Sequence, residues 1–319
     1  MNDISKNKAT PVMKQFWGIK EKHPNSILLF RMGDFYETFE KDAEITSEIL
    51  GIALTKRANG AASSVPLAGF PYHALNQHLY KLLKAGHRVA ICEQVEDPKE
   101  AKGIVKREVV EIISPGTTIA DNYLDNNFNN YLCCAYNNGR TIGFSLLDHS
   151  TGEFSSTEVS PNDFNNIVSR YNIAEILILE SQEQIFKKYN SIQNIVMNFI
   201  PDWVNDYDYS NEILCNHFKV KNMKGFGFRK KSCSIISSGM IMHYIKENFK
   251  SRVNHINNLK SLSYQKIMQL DYYTVKNLEL FNPLLSDNKK STLIYALDQT
   301  VTASGSRLFK NWIARPLLD

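Results

Sequence analysis

Several things are scarce in this sequence, and each scarcity excludes something. There are five cysteines in 319 residues. Cys133 and Cys134 are adjacent, while Cys92, Cys215 and Cys233 stand alone, so no Cys/His quartet has zinc-binding spacing. Cys92 and the Cys133/Cys134 pair lie in apolar, strand-like runs and read as small buried hydrophobes. No apolar run approaches the ~20 residues of a membrane span, and Met1–Thr10 is too polar for a signal peptide. The expectation is a cytoplasmic protein without a membrane partner. Charge of one sign is also scarce. Lys and Arg number 37 against 33 Asp and Glu, a net of +4, and residues 1–115 hold 16 against 14. A protein gripping nucleic acid mainly through phosphates would carry a stronger basic face. Charge permits such a partner without arguing for one.

Catalytic motifs are missing as well. The chain contains no G-x-x-x-x-G-K-[ST], G-x-S-x-G or H-E-x-x-H, and no Cys/His nucleophile pattern. Gly225-Phe226-Gly227 lacks the spacing and the lysine of a phosphate cradle and reads as a loop. Asp148 and Glu153 stand at a strand end and on the strand after it, as in an RNase H-like metal site. Two-metal chemistry needs more converging carboxylates than these, so a surface turn is the better reading. We read no catalytic residue and no metal ligand in the chain.

What is present is mixed α/β. Thr10 reads as a helix N-cap with Pro11 in the first turn, Val12, Phe16 and Ile19 as its apolar stripe, and Pro24 as its stop. Ile27–Phe30 reads as a buried strand, and Phe39 to Gly51 as a helix. Ile52–Leu54 is expected to be a short strand, Ala58–Ser64 a mobile loop and Pro66–His73 an irregular turn. A helix marked by Leu75, Leu79, Leu82 and Leu83 should end at Gly86, ahead of strands at Val89–Cys92 and Val109–Ile113. Asn- and Asp-rich texture from Pro115 to Asn130 reads as a linker. A second α/β unit follows, with strands at Tyr131–Tyr136, Thr141–Leu147, Glu153–Ser156 and Ile176–Leu179. Turns at Asn137-Asn138-Gly139 and Ser150-Thr151-Gly152 join the first three, and a helix over Ile235–Phe249 closes the unit. The last stretch reads as helical throughout. Its apolar ridges have no visible partner, so the expectation is an incomplete third domain.

Gly33-Asp34-Phe35-Tyr36-Glu37 crowds two aromatics and two acids at the exit of a strand. One reading has Phe35 and Phe39 filling core while Asp34 and Glu37 cap the next helix. The other has Phe35 projecting outward as a wedge into a base step, where unstacking costs least at a mismatched or damaged pair. Glu37 would then accept a hydrogen bond from a base edge, or donate one if protonated, and would repel intact duplex. Lys56-Arg57 suits phosphate contact, or is merely a solvated pair at a strand end. Met32 lies beside the wedge. Gly69-Phe70-Pro71-Tyr72-His73 would be a shelf next to it, or an ordinary helix-entry turn. Lys102, Lys106 and Arg107 form a loose basic cluster.

These segments together resemble the MutS family. The resemblance rests on the Phe-x-Glu pair of Phe35 and Glu37, on Thr10-Pro11, and on Leu54-Thr55-Lys56-Arg57. Ala68-Gly69-Phe70-Pro71-Tyr72-His73-Ala74, Val89-Ala90-Ile91-Cys92-Glu93-Gln94, Ser114-Pro115-Gly116-Thr117 and Leu297-Asp298-Gln299-Thr300-Val301-Thr302 fit the same family in order. It implies a mixed α/β mismatch-recognition domain over 1–115, a linker over 116–126, an RNase H-like connector over 127–257 without nuclease function, and the start of an all-α core and lever domain over 258–319. Phe35 would stack on the mispaired base and Glu37 would hydrogen-bond to it. Lys56, Arg57, Met32, Tyr72, His73, Lys106 and Arg107 would be DNA contacts. The resemblance further implies a bacterial mismatch-repair protein that works as a homodimer with a MutL-type partner. ATP and Mg would belong to a C-terminal ATPase that these residues do not include. Competing expectations are a MutS relative without a repair role, an RNase H-like nuclease, and a purely structural fragment in which Phe35 is core.

Overall fold

A computed structural model describes residues 9–60, 62–96, 103–118, 129–229, 231–249, 253–262, 267–268, 270–285 and 288–318. They fall into two compact units, Met1–Pro115 and Gly116–Asp319.

The first unit is a six-stranded mixed sheet between helices. Its elements are α1 (Pro11–Lys20), β1 (Ser26–Met32), β2 (Phe35–Phe39), α2 (Glu40–Leu50), β3 (Thr55–Asn59), β4 (Ala62–Pro71), α3 (Leu75–Lys84), β5 (Arg88–Gln94) and β6 (Arg107–Ile113), and the strands lie in the order β3-β4-β2-β1-β5-β6. β1 is central, parallel to β5 and antiparallel to β2. A strand covered on both faces must be apolar on both, and Ile27, Leu28, Leu29 and Phe30 are all buried. Alternation sends Leu28, Phe30 and Phe39 toward α1, where Phe16 meets Phe30 and Phe39 edge-on at 5.8 and 4.9 Å between ring centroids. Ile27, Leu29, Tyr36 and Phe70 pack on the opposite face with Leu79, Leu82 and Leu83 of α3. The helix after β4 ends with Gly86 at a φ of +87°, its N–H donating to Leu83 O.

Several details differ from the sequence-based expectations. Thr10 holds the N-cap position without capping, because its hydroxyl and its N–H both donate to Asn59 Oδ1. α1 stops at Lys20, ahead of Pro24, and Phe39 belongs to β2, so α2 starts at Glu40. Ile52–Leu54 is not strand. The chain leaves α2 through Gly51, in the left-handed region at φ +68°, and extends only from Thr55. Much of Ala58–Ser64 and Pro66–Pro71 is hairpin rather than loop, since β3 and β4 pair antiparallel and Val65 and Phe70 anchor β4 to opposite cores.

The second unit carries β7 (Tyr131–Asn137), β8 (Ile142–Asp148), β9 (Glu153–Val159), α4 (Phe164–Val168), β10 (Ile173–Leu179), α5 (Glu183–Phe186), β11 (Val196–Ile200), α6 (Tyr207–Phe218), α7 (Cys233–Asn248) and β12 (Lys260–Ser261). The sheet order is β11-β10-β7-β8-β9-β12. β7, β8 and β9 form an antiparallel meander, and β10 and β11 add in parallel beside β7. This is the mixed arrangement expected of an RNase H-like unit. α7 is buried almost all round and presses on β8: a Cβ on Gly143 would lie 2.1 Å from Cys233 O. Between them Ser145 Oγ stands 2.7 Å from Ser156 Oγ and 2.6 Å from Ser237 Oγ, so the buried hydroxyls satisfy one another. β11 and α6 fall in a stretch the sequence left unread, although Asp206 marks the start of α6 by accepting from Tyr209 N.

Residues 116–118 do not behave as linker. Thr117 and Thr118 are buried, and Gly116 N donates to Glu175 Oε2 at 2.9 Å. The rest of the expected linker, residues 119–126, lies outside the described residues. After β12 the chain is not helical throughout. Among the described residues, the helices α8 (Tyr272–Asn277), α9 (Leu293–Leu297) and α10 (Ala303–Ala314) alternate with turns. Asp271, Thr292 and Thr302 each restart a helix by accepting a backbone N–H with the side chain.

Candidate nucleic-acid interface

β1 and β2 are joined by Gly33-Asp34 alone, with Met32 paired to Phe35. A two-residue hairpin of this kind favours glycine at its first position, and Gly33 takes φ +57°. The turn is tied down twice, by Arg31 Nε donating to Gly33 O at 2.6 Å and by Tyr72 N donating to Asp34 O at 2.8 Å. Phe35 follows, opposite Pro71 of β4, and is 47% exposed. The reading of Phe35 as core is therefore overturned. Phe39, two pleats further on the same face, is the residue that fills core, at 1% exposure.

Glu37 lies between them, half-buried on the α1 side of the sheet. It caps no helix: Arg57 Nη1 on β3 donates to its Oε2 at 2.6 Å. Gly69 of β4 faces Glu37, and a Cβ there would meet Glu37 Cγ at 3.4 Å, so the carboxylate arm lies over the glycine. Burial pushes the Glu37 carboxyl above the usual carboxylate range, and the charge and hydrogen bond of Arg57 pull it back only in part. Arg107 adds a weaker pull in the same direction.

The other residues divide sharply. Tyr72 and His73 are exposed in the turn after β4, their rings 5.9 Å apart. The Arg31 guanidinium lies 4.1 Å from the Tyr72 ring centroid, within cation–π range. Arg31 was missed from the sequence, where its place two residues before Gly33 was the available signal. Met32 is half-buried and leans on the α1-side core. Lys56 is exposed. Lys106 is exposed and ion-paired to Glu108 at 2.7 Å. Lys102 lies outside the described residues. Arg107 does not join the surface. It is 7% exposed, donates to Arg31 O, Gln15 Oε1 and Val105 O, and stacks 5.0 Å from the Phe30 centroid. A guanidinium satisfied in this way holds the sheet together, and the spacing of Arg107 to Lys106 alone could not reveal that.

The second unit offers no comparable opening at its acids. Asp148 is not in a surface turn. It is buried, and its carboxylate accepts from Asn129 Nδ2, from Ser150 N and Oγ, and from Thr151 N. Asn129 also donates to Glu153. Among the described residues no group of three or more His, Cys, Asp or Glu could hold a metal ion, and no helix is long and apolar enough to cross a membrane. Cys92, Cys133, Cys134 and Cys233 are buried free thiols.

Comparison with known proteins agrees with the layout of the chain. The family descriptions MutS domain I, MutS domain II and MutS domain III match residues 10–122, 130–257 and 273–319. The chain belongs to the MutS family. Among its relatives, the DNA mismatch repair protein MutS of Flavobacterium psychrophilum is 42% identical over 311 residues, which cover 97% of this chain and 36% of the relative. The proteins of the same name from Porphyromonas gingivalis and Salinibacter ruber are 41% and 40% identical over 97% of this chain, and 34% and 35% of their own lengths. The chain thus spans about a third of the length of the curated relatives it matches.

Proposed function

We propose that the first unit of this MutS-family chain recognises mispaired or unpaired bases in duplex DNA by inserting Phe35 as a wedge and kinking the duplex, and that this initiates DNA mismatch repair. The observation that carries the reading is the exposure of Phe35, 47%, at the tip of a hairpin pinned by Arg31 and Tyr72. Leaving a large aromatic in water on a rigid support has no benefit for folding. It supplies an apolar plane for a base step, and the cost of opening that step is lowest where pairing is already weak. Glu37, held on the same face one pleat inward, is the group that would meet the displaced base. Tyr72, His73 and Met32 flank the wedge as candidate contacts, with Lys56 on β3 and Lys106 further along. Arg107 supports the sheet beneath them.

The names of the relatives support a role in mismatch repair; a homodimer, a MutL-type partner and a cytoplasmic location are part of the same proposal. ATP and Mg would serve the full-length protein. These 319 residues hold no glycine-rich phosphate loop with its lysine, so we assign no nucleotide contact here. Asp148 and Glu153, engaged with Asn129, give a nuclease reading no support.

The test is binding of a G·T mismatch duplex and its matched twin by a chain of its relatives' full length carrying these residues, at one fixed salt concentration. Stacking of a base on an aromatic is worth about 1–3 kcal/mol, so Phe35→Ala should reduce mismatch affinity by roughly 5- to 150-fold and leave matched binding nearly unchanged. Equal binding of both duplexes by the wild type would instead identify a MutS relative with a different role.

A further inference from the structure

Arg57 and Glu37 stand on strands that are not neighbours. β4 lies between β3 and β2, so their ion pair crosses two inter-strand spacings, each about 4.8 Å. Gly69 leaves room beneath the crossing: a Cβ there would lie 3.1 Å from Tyr36 O and 3.4 Å from Glu37 Cγ. Arg57 is paired with Val65 on the core side of Gly69, and its guanidinium lies 5.8 Å from the Phe39 ring centroid. The contact therefore draws the Glu37 carboxylate toward the interior of the sheet face and away from the end where Phe35 stands. The two side chains are 30% and 19% exposed, which shields the pair from much of the screening that weakens surface ion pairs.

This geometry creates a competition. A guanidinium engaged with a carboxylate is not free to grip a phosphate with its full fork of donors. A carboxylate engaged with Arg57 is likewise committed before any base reaches it. The other cation on this face, Arg107, is already bonded to Arg31 O, Gln15 Oε1 and Val105 O and cannot replace Arg57 as the clamp.

We propose that Arg57 is the positioning residue for Glu37, holding it against the sheet in the free protein and exchanging it for a backbone phosphate on DNA, so that the base-reading carboxylate is released only once the duplex is engaged. The inference rests on the wedge reading above and adds to it an order of events. Once Arg57 has left, burial acts on Glu37 without that counterweight, and the carboxyl takes up a solvent proton more readily. A freed Glu37 can then donate to a base acceptor as well as accept from a donor. The charged groups facing Glu37 are Arg57 and, more weakly, Arg107.

The experiment is a double-mutant cycle in a full-length chain carrying these residues: wild type, Arg57→Gln, Glu37→Gln and both together. Each is titrated with the G·T duplex and its matched twin across a pH series. With Arg57→Gln, the pH midpoint of the affinity for either duplex, which is set by Glu37 in the free protein, should move up by about one unit, the size of shift a neighbouring opposite charge produces. The mismatch-to-matched ratio should keep its midpoint, because Arg57 has left Glu37 in both complexes. In the Glu37→Gln background the same substitution should lower affinity for both duplexes equally and leave their ratio and pH profile unchanged. Arg57→Lys should restore part of the wild-type profile, and because it keeps the charge it also stands in should Arg57→Gln fail to fold. Independent effects of the two substitutions on affinity, with the affinity midpoint of Arg57→Gln equal to that of the wild type, would reduce Arg57 to a plain phosphate contact and overturn the proposal. Mismatch preference that is lost with Phe35→Ala would in that case leave the wedge reading standing. A wild type with no mismatch preference would overturn both.

Discussion

Glu37 in the first unit and Glu175 in the second are both strand carboxylates in six-stranded mixed sheets, and they are treated in opposite ways. Glu175 is fully buried. Gly116 N donates to its Oε2, and Asn198 Nδ2 and Tyr244 OH donate to its Oε1, at 2.9, 2.7 and 2.7 Å. Those donors come from the segment preceding β7, from β11 and from α7, so this acid ties three parts of its unit together. Glu37 has one cationic partner, a glycine beneath it and an exposed phenylalanine beside it. A carboxylate whose acceptor sites are filled by the fold has nothing left for a ligand. One that is half-buried with a single exchangeable partner keeps that capacity. The contrast sets a structural acid against one proposed to read a base, and it can be tested from both sides.

The largest effect should come from emptying the structural site. Glu175→Ala leaves the Gly116 N–H, the Asn198 amide and the Tyr244 hydroxyl without their acceptor in a buried interior, and each donor left unsatisfied costs about 1–3 kcal/mol. Chemical denaturation should show that loss. A change below about 1 kcal/mol would mean that Glu175 is less central than its three bonds imply. A second comparison sets Phe39 against Phe35 on the same strand. Phe39→Ala opens a cavity beside Phe16 and Phe30 and should cost about 3–5 kcal/mol of stability. Phe35→Ala should change stability by no more than about 0.5 kcal/mol, its effect lying in DNA binding. Similar destabilisation by both would return Phe35 to a packing role.

That comparison also shows how far the sequence could be read. The central strands, the α7 helix and the mixed α/β character followed from apolar runs and turn residues, because β1 and β10 are buried on both faces and admit little else. Ala58–Ser64 misled because small residues signal a loop locally, whereas the long-range pairing of β3 with β4 decides the structure. The chain after β12 misled in the other direction. Its leucine spacing suggested long helices, and Asp271, Thr292 and Thr302 divide it into short ones. For the candidate site, Phe35 was ambiguous in sequence, since an aromatic next to another aromatic is core or surface according to which pleat faces out. Period-two alternation places Phe35, Glu37 and Phe39 on one face but does not say where the cover of α1 ends. The pairing of Glu37 with Arg57 was invisible for a different reason, as it depends on strand order across β4. The burial of Arg107, likewise, depends on Gln15 and on the carbonyl of Arg31, both far from it in sequence.

The smallest expected effect concerns pH and Glu37 itself. Burial raises its folded-state pKa above the ordinary value of 4.5, even with Arg57 opposing. A carboxyl raised on folding binds more protons in the native state than in the unfolded one between the two pKa values, so stability falls as pH rises through that interval. The contribution is fully present below the unfolded pKa and is lost above the folded one. Glu37→Gln removes the titration, so the stability of the wild type relative to this variant should decline as pH is raised from below 4.5 to neutrality. Unfolding curves of the two proteins collected across that range give the difference directly. A wild type that instead gains on the variant as pH rises would mean that Arg57 outweighs burial at Glu37, which would make Glu37 a structural acid like Glu175, held here by an ion pair, and remove the basis for a proton-taking acid beside Phe35.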